Sequence, residues 1–248
     1  MHAIKDIELP QMASLVTGAA NLGVHLNIGQ INQFHRYFLE MAKWNVRTNL
    51  TSITGCEEVQ VKHFMDSLTA SLAIPSEFLT SGRAVDIGSG AGFPGMALKI
   101  AFPKLQVTLV EASGKKTKFL RHIGKVLELK ELEIREGRSE VLAHDPNLRE
   151  RFDLVLTRAV ARMNVLAEIT LPFCRLGGRV VAHKSAHPDV EVGLAQQAIE
   201  TLGGILKEIK KVSVQGLDIN GSLVVIEKIT LTPMRYPRRP GMPKKRPL

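Results

Sequence analysis

Cysteine is close to absent from this 248-residue chain: Cys56 and Cys174 are the two that occur, and neither belongs to a paired motif. Disulfide frameworks and zinc clusters both need more than this, so a reducing, cytoplasmic setting without a metal site is expected. No run of about 18 apolar residues occurs, so no membrane span is expected. The first residues mix Lys5 with Asp6 and Glu8, and the apolar stretch after them is broken by Asn21, Gly23 and Asn27, a poor secretory leader. No internal repeat and no Ser/His/Asp elbow is visible. Acidic residues are missing from the last fourteen positions, where Arg235, Arg238, Arg239, Lys244, Lys245 and Arg246 hold six of the nine net positive charges. Such a segment suits a polyanion, nucleic acid before membrane because no apolar face accompanies the charge, or it is a solvated tail that only aids solubility.

What is present is a core-forming share of hydrophobic residues, 44%, and one conspicuous turn, Asp86-Ile87-Gly88-Ser89-Gly90-Ala91-Gly92-Phe93-Pro94-Gly95. A β-rich run reaches these glycines and Pro94 then opens a periodic segment over 96–102, so the stretch reads as strand, tight turn and helix start. Glycines allow positive φ and close approach, and free N–H groups at a helix start favour electron-rich ligand atoms. Two ligands fit. Gly90, Gly92 and Gly95 spell the dinucleotide fingerprint, whereas Gly88, Gly90 and Gly92 preceded by Asp86 resemble the turn of Rossmann-like S-adenosylmethionine-dependent methyltransferases. Glu111 ends a second strand 23 residues beyond Gly88, where a carboxylate can accept from both ribose hydroxyls.

Helical periodicity appears over 31–44, before a turn-like 45–49, and over 57–73, limited by Pro75, while 1–27 reads as at most one loose helix. Residues 1–80 are thus expected to form a helical cap. Strand-like and helix-like runs then alternate through 81–232, ending in two strand-like runs, 206–214 and 223–229, with no helix between them. The pattern specifies an α/β fold: seven strands, mostly parallel, helices on both faces, and a closing hairpin that makes one strand antiparallel. Residues 233–248 form a basic, proline-rich tail.

On the cap, His63, Asp66 and Ser67 share a helix face, as a polar network beside the ligand pocket, as plain surface residues, or as part of a metal site that lacks further ligands. Lys115, Lys118, His122 and Lys125 make a stripe that is either a solvated face or an extension of an RNA surface. The third strand ends at Glu136-Gly137-Arg138-Ser139-Glu140, where Ser139 or Glu140 would face an adenine. Arg158 ends the fourth strand and Lys184 the fifth. Arg158 acts on ligand or RNA or is an ordinary surface arginine. The Asp/Asn-Pro-Pro-aromatic sequence of base-amine methyltransferases is absent, Thr157-Arg158-Ala159-Val160 standing there, and Cys174, expected at a helix end, has no Pro-Cys motif. A substrate atom that is already a nucleophile, such as guanine N(7), suits a site of this kind, with catalysis by positioning and electrostatics and Arg158 and Lys184 as candidates.

The chain resembles the bacterial small-subunit ribosomal RNA guanine-N(7) methyltransferase family, also called glucose-inhibited division protein B. The matching pieces are Trp44-Asn45 with Asn49-Leu50-Thr51, the stretch 62–68, the glycine turn, Glu111-Ala112 with Lys115-Lys116, Gly137-Arg138-Ser139-Glu140, Arg158-Ala159, Lys184, and the tail 236–241. The resemblance implies methylation of a 16S rRNA guanine by S-adenosylmethionine, without a covalent intermediate, by a protein expected to be a monomer in the cytoplasm. It implies cofactor contacts at Gly88, Phe93, Glu111, Ser139, Glu140 and Arg158, to which the turn itself adds Asp86, Ser89, Gly90 and Gly92. Substrate contacts are expected at Arg138, Lys184, Arg238 and Arg239. Many relatives carry a basic residue just before the last strand where this chain has Asn220-Gly221-Ser222, a loss that Arg138 or the tail would offset. Two rivals stand beside this reading: a nicotinamide-dependent oxidoreductase using the literal dinucleotide fingerprint, and a non-enzymatic RNA-binding protein on a degenerate methyltransferase fold.

Overall fold

Strands rich in β-branched and leucine residues with no polar alternation are built to be covered on both faces, and the central ones, such as Arg83–Ile87, form the interior of a three-layer molecule, while the edge strands Leu132–Glu136 and Gly204–Val214 keep polar, exposed positions. The computed structural model describes residues 9–214 and 216–248. Its strands are β1 (Arg83–Ile87), β2 (Gln106–Glu111), β3 (Leu132–Glu136), β4 (Phe152–Arg158), β5 (Cys174–Lys184), β6 (Gly204–Val214) and β7 (Leu217–Lys228), joined in the order β3-β2-β1-β4-β5-β7-β6. β1 pairs in parallel with β2 and β4, and β5 in parallel with β4; β7 runs antiparallel to both β5 and β6. The expected closing hairpin with one reversed strand is therefore present.

Alternate strand residues divide between two cores. Ala84, Leu109, Leu154, Leu156 and Val225 face the N-terminal helices and the helices Gly95–Ala101 and Gly114–Val126. Val85, Val110, Val155, Val180 and Ile226 face the helices Met163–Thr170 and Asp189–Thr201. The cap shares the first core, so it is an added layer on one face of the sheet. The segment expected to be at most one loose helix contains a packed one, Ala13–Asn21, with Met12, Leu15 and Ala19 fully buried; residues 1–8 lie outside the described ones.

The next helix, Ile28–Thr48, begins on a capping box in which the Asn27 and Gln30 side chains accept from each other's backbone N–H at 3.0 and 2.9 Å. It runs through the residues expected to turn at 45–49 and stops only at Asn49, φ 49°. The reason is Asn45, whose Oδ1 accepts from Leu50 N (2.6 Å) and Thr51 N (3.0 Å), tying the chain after the helix back to its last turn. The helical run 56–73 follows, with a π-helical stretch at Gln60–Met65. Pro94 stands immediately before the helix it was expected to open, which starts at Gly95. Cys174 begins β5 instead of ending a helix, and burial pushes its thiol up to about 12, which disarms it as a nucleophile. Asn220, Gly221 and Ser222 lie within β7, not ahead of it.

The basic tail is docked. Tyr236 is buried in the second core, Arg149 donates to Thr232 O and Tyr236 O (2.8 and 2.9 Å), and Gly241 N donates to Glu140 Oε1 (3.0 Å). Arg238 grips the fully buried Glu168 through both ends of its guanidinium, at 2.9 and 2.6 Å. Its charge is thereby answered inside the protein, whereas Arg235, Arg239, Lys244, Lys245 and Arg246 are exposed. Removing one partner of such a pair strands a buried charge. Arg238→Ala is expected to lower stability by about 3 kcal/mol in denaturant unfolding; an unchanged unfolding midpoint would show that the pair holds nothing.

Candidate functional site

The site grows from the carboxyl end of β1, where the chain must reverse in very little space. Gly88, at φ +74°, approaches the β4 rim so closely that a Cβ there would come within 2.7 Å of Val160 Cγ2. Gly90, at φ +59°, differs: a Cβ would meet nothing nearer than 3.9 Å, so this glycine borders open space. Gly88 N and Ser89 N both donate to Val110 O, lashing the turn to β2, and the Ser89 side chain is buried against the same carbonyl. Gly92 is buried as well.

Asp86 was expected at the ligand, but it is fully buried and works from beneath the turn, its Oδ2 accepting from Gly95 N at 2.8 Å. Its Oδ1 is buried without a partner among the described residues. Burial pushes its carboxyl up to about 7, against the opposing help of Gly95 N–H and Arg158. Glu111, at the end of β2, aims at the turn: Oε2 accepts from Gly90 N (2.9 Å) and Oε1 from Ser113 N (2.7 Å). Beyond β3, Arg138 is exposed, Ser139 donates to Glu140, and Glu140 receives the tail's Gly241 N–H.

The β4 rim carries a stack that sequence reasoning did not foresee. Phe93, only 5% exposed, stacks with the Tyr37 ring at 5.3 Å and with the His63 ring at 4.7 Å. The Arg158 guanidinium stands over the same ring at 5.2 Å. Arg158 also donates to Asp66 Oδ2 (2.8 Å), Lys62 O (3.1 Å) and His63 Nδ1 (3.2 Å). Because arginine only donates, His63 Nδ1 is the acceptor, and Nε2–H donates to Thr51 Oγ1 at 2.8 Å. Burial, then Arg158, lowers the His63 pKa to about 4, so the ring is neutral at pH 7. The polar-network reading of His63 and Asp66 fits this geometry; Ser67 turns away, donating to His63 O. Tyr37 was missed, since a buried tyrosine at helical spacing looks like any core residue; its hydroxyl donates to Ala91 O.

Lys184 Nζ donates to Glu191 Oε1 (2.6 Å) and Ala161 O (3.1 Å). Lys62, His63, Asp66, Arg158, Lys184 and Glu191 line a cleft of about 480 Å³. Both cations in it that were expected to do electrostatic work are thus already paired with carboxylates. A cavity of about 650 Å³ between the helix Ile28–Thr48 and the end of the helix Gly114–Val126 contains none of these groups. Of the basic stripe, Lys115, Lys118 and Lys125 are exposed, while His122 is held by Glu40 at 2.7 Å.

Residues 30–219 match the sequence pattern of the family described as rRNA small subunit methyltransferase G, GidB. The chain belongs to this family. Relatives called ribosomal RNA small subunit methyltransferase G are 46% identical over 237 residues in Roseiflexus castenholzii and 45% over 237 residues in Dehalococcoides mccartyi, in each case 96% of this chain and 100% of the relative. One from Alkaliphilus metalliredigens is 42% identical over 94% of this chain and 97% of its own. Among solved structures, a mutant of MtNAS in complex with S-adenosylmethionine superposes with TM-score 0.53 at 14% identity, over 88% of this chain and 78% of that one. TrmN from Thermus thermophilus does so with TM-score 0.51 at 16% identity, over 68% and 53%. These distant likenesses speak for the Rossmann-like fold alone. Membership of the family sets aside the nicotinamide reading of the glycine turn.

The Asp86 carboxyl gives a pH signature. Its folded value of about 7 lies above the ordinary 3.8, so between those values the folded chain keeps a proton that the unfolded chain has lost. Stability therefore falls as pH rises through that window, and Asp86→Asn should flatten the slope in urea unfolding; an identical slope in the variant would mean Asp86 is ionised throughout.

Proposed function

We propose that this protein transfers a methyl group from S-adenosylmethionine to N(7) of a guanine in 16S ribosomal RNA. The observation that carries the proposal is the convergence, in a member of the rRNA small subunit methyltransferase G family, of the glycine turn, Glu111 and the Arg158 cleft at one edge of the sheet. The turn suits the cofactor: Gly90 borders open space, and the Glu111 carboxylate at the end of β2 offers acceptor oxygens of the kind a ribose diol needs. Ser139 and Glu140 flank the same edge and are candidates for the adenine. Gly88 and Phe93 close the turn, with Phe93 presenting little surface of its own.

Bound S-adenosylmethionine supplies an electrophilic sulfonium methyl: the N(7) lone pair takes it, the S–C electron pair stays on sulfur, and the positive charge passes to the purine. Guanine N(7) needs no base to expose its lone pair. Of the two imidazoles of the cleft, His63 is engaged at both nitrogens, by Arg158 and Thr51, while His183 donates from Nε2 to Asp66 O at 3.0 Å and keeps Nδ1 buried, without a partner among the described residues. Arg158 positions the cap against Phe93 and pairs with the Asp66 carboxyl beside the site. Lys184 pairs in the same way with the Glu191 carboxyl. Positioning and electrostatics remain the means of catalysis, with the cations acting through their carboxylates. The exposed Arg138, Arg239, Lys244, Lys245 and Arg246 are the proposed phosphate contacts, and Arg238 is reassigned to holding the tail in place.

Unmethylated small subunits incubated with labelled S-adenosylmethionine should yield label in 7-methylguanosine after nuclease digestion, and RNA binding without transfer would favour the degenerate, non-enzymatic reading. Replacing Lys244, Lys245 and Arg246 by alanine should reduce the slope of log Kd against log salt for rRNA by up to about 2, with the melting temperature unchanged; an unaltered slope would take the tail out of the RNA interface.

A further inference from the structure

The reaction proposed above, on which this inference rests, requires guanine N(7) to be free of hydrogen-bond donors, because its lone pair makes the new bond. The familiar arginine or lysine grip on guanine O6 and N7 is thereby closed to Arg158 and Lys184. The base has to be read at its Watson–Crick edge, which offers two donors, N1–H and the 2-amine. A carboxylate is the side chain that accepts both at once.

Two carboxylates line the cleft, and each commits one oxygen to the protein. Asp66 gives Oδ2 to Arg158, whose guanidinium lies on Phe93, at the side of the glycine turn. Glu191 gives Oε1 to Lys184 Nζ and to Met163 N, both at 2.6 Å, and its Oε2 has no partner among the described residues. Lys184 ends β5, one strand farther from β1 than Arg158 on β4. A guanine with N(7) toward the turn directs its Watson–Crick edge away from it, to the β5 side.

We propose that Glu191 is the specificity-determining residue that accepts from N1–H and the 2-amine of the target guanine. Methylation at N(7) leaves the purine positively charged and makes N1–H a stronger donor, so this contact tightens as the methyl moves, which is binding realised in the transition state. No proton is transferred to Glu191. Adenine, with an acceptor at N1 and no 2-amine, leaves the carboxylate unpaired and is rejected. Lys184 then serves as a positioning residue, fixing Glu191 and cancelling its charge in the free enzyme.

Glu191 also caps the helix Met163–Thr170 through Met163 N, so the test has to separate capping from reading. Small subunits reconstituted with inosine at the methylated position keep N(7) and N1–H and lose only the 2-amine. The wild-type protein should show kcat/KM about tenfold or more lower on these than on guanosine subunits. Glu191→Gln keeps an oxygen for Met163 N; it should be slower on guanosine and should distinguish guanosine from inosine by less than about twofold, reflecting the lost charged acceptor. Equal rates for wild type on the two substrates would overturn the proposal, and that comparison stands even if the variant fails to fold. A variant slowed by the same factor on both substrates would overturn it too, leaving Glu191 as a helix cap. Failure of the wild-type protein to methylate guanosine subunits at all would instead remove the reaction assignment.

Discussion

The Arg158 guanidinium lying on the Phe93 ring is the contact on which the rim of this sheet depends. Phe93 belongs to the glycine turn, Arg158 to the end of β4, and the Asp66 and His63 that hold Arg158 belong to the cap. One side chain therefore registers three parts of the chain that are far apart in sequence. The arrangement has a cost, since a cation and a carboxylate are both partly withdrawn from water, and it is offset because every hydrogen-bonding direction used by Arg158 ends on an acceptor. His63 is kept neutral by burial and by that same arginine, which lets it stack as a flat, uncharged wall.

A second feature follows from charge balance. Arg158 with Asp66 and Lys184 with Glu191 make the cleft a set of paired ions instead of a positive pocket. For a reaction that ends with positive charge on the base, unpaired cations would raise the barrier. Exposed positive charge is placed elsewhere, on the tail and at Arg138, where it is solvated.

The tail illustrates how composition and structure answer different questions. Composition shows a basic, acid-free segment; it does not show that Tyr236 would enter the core or that one of six cations would be spent on Glu168. Glu168 sits in an almost wholly buried helix 70 residues earlier, with no local sign that its partner lies in the tail. Likewise the helix Ile28–Thr48 outran its expected end because Asn45 reaches forward to Leu50 and Thr51, and the packed helix Ala13–Asn21 hid in a stretch without strong periodicity.

By itself the sequence determined the alternation of strands and helices, the closing hairpin, the glycine turn and the acid at the end of β2, because each is written in residues close together: apolar runs, glycine spacing, a strand terminus. The motif pieces around Trp44, residues 62–68, Arg138-Ser139-Glu140 and Arg158 also sufficed to place the chain in its family. Only the tertiary structure decided what those charged and aromatic residues do. It placed Asp86, expected at the ligand, beneath the turn with Gly95 N on its Oδ2, bound Arg238, expected at the RNA, to Glu168, and paired Lys184, expected to do electrostatic work, with Glu191. The physical reason is that the role of an ionisable group is set by the burial and the partners it meets after folding, and those partners come from anywhere in the chain.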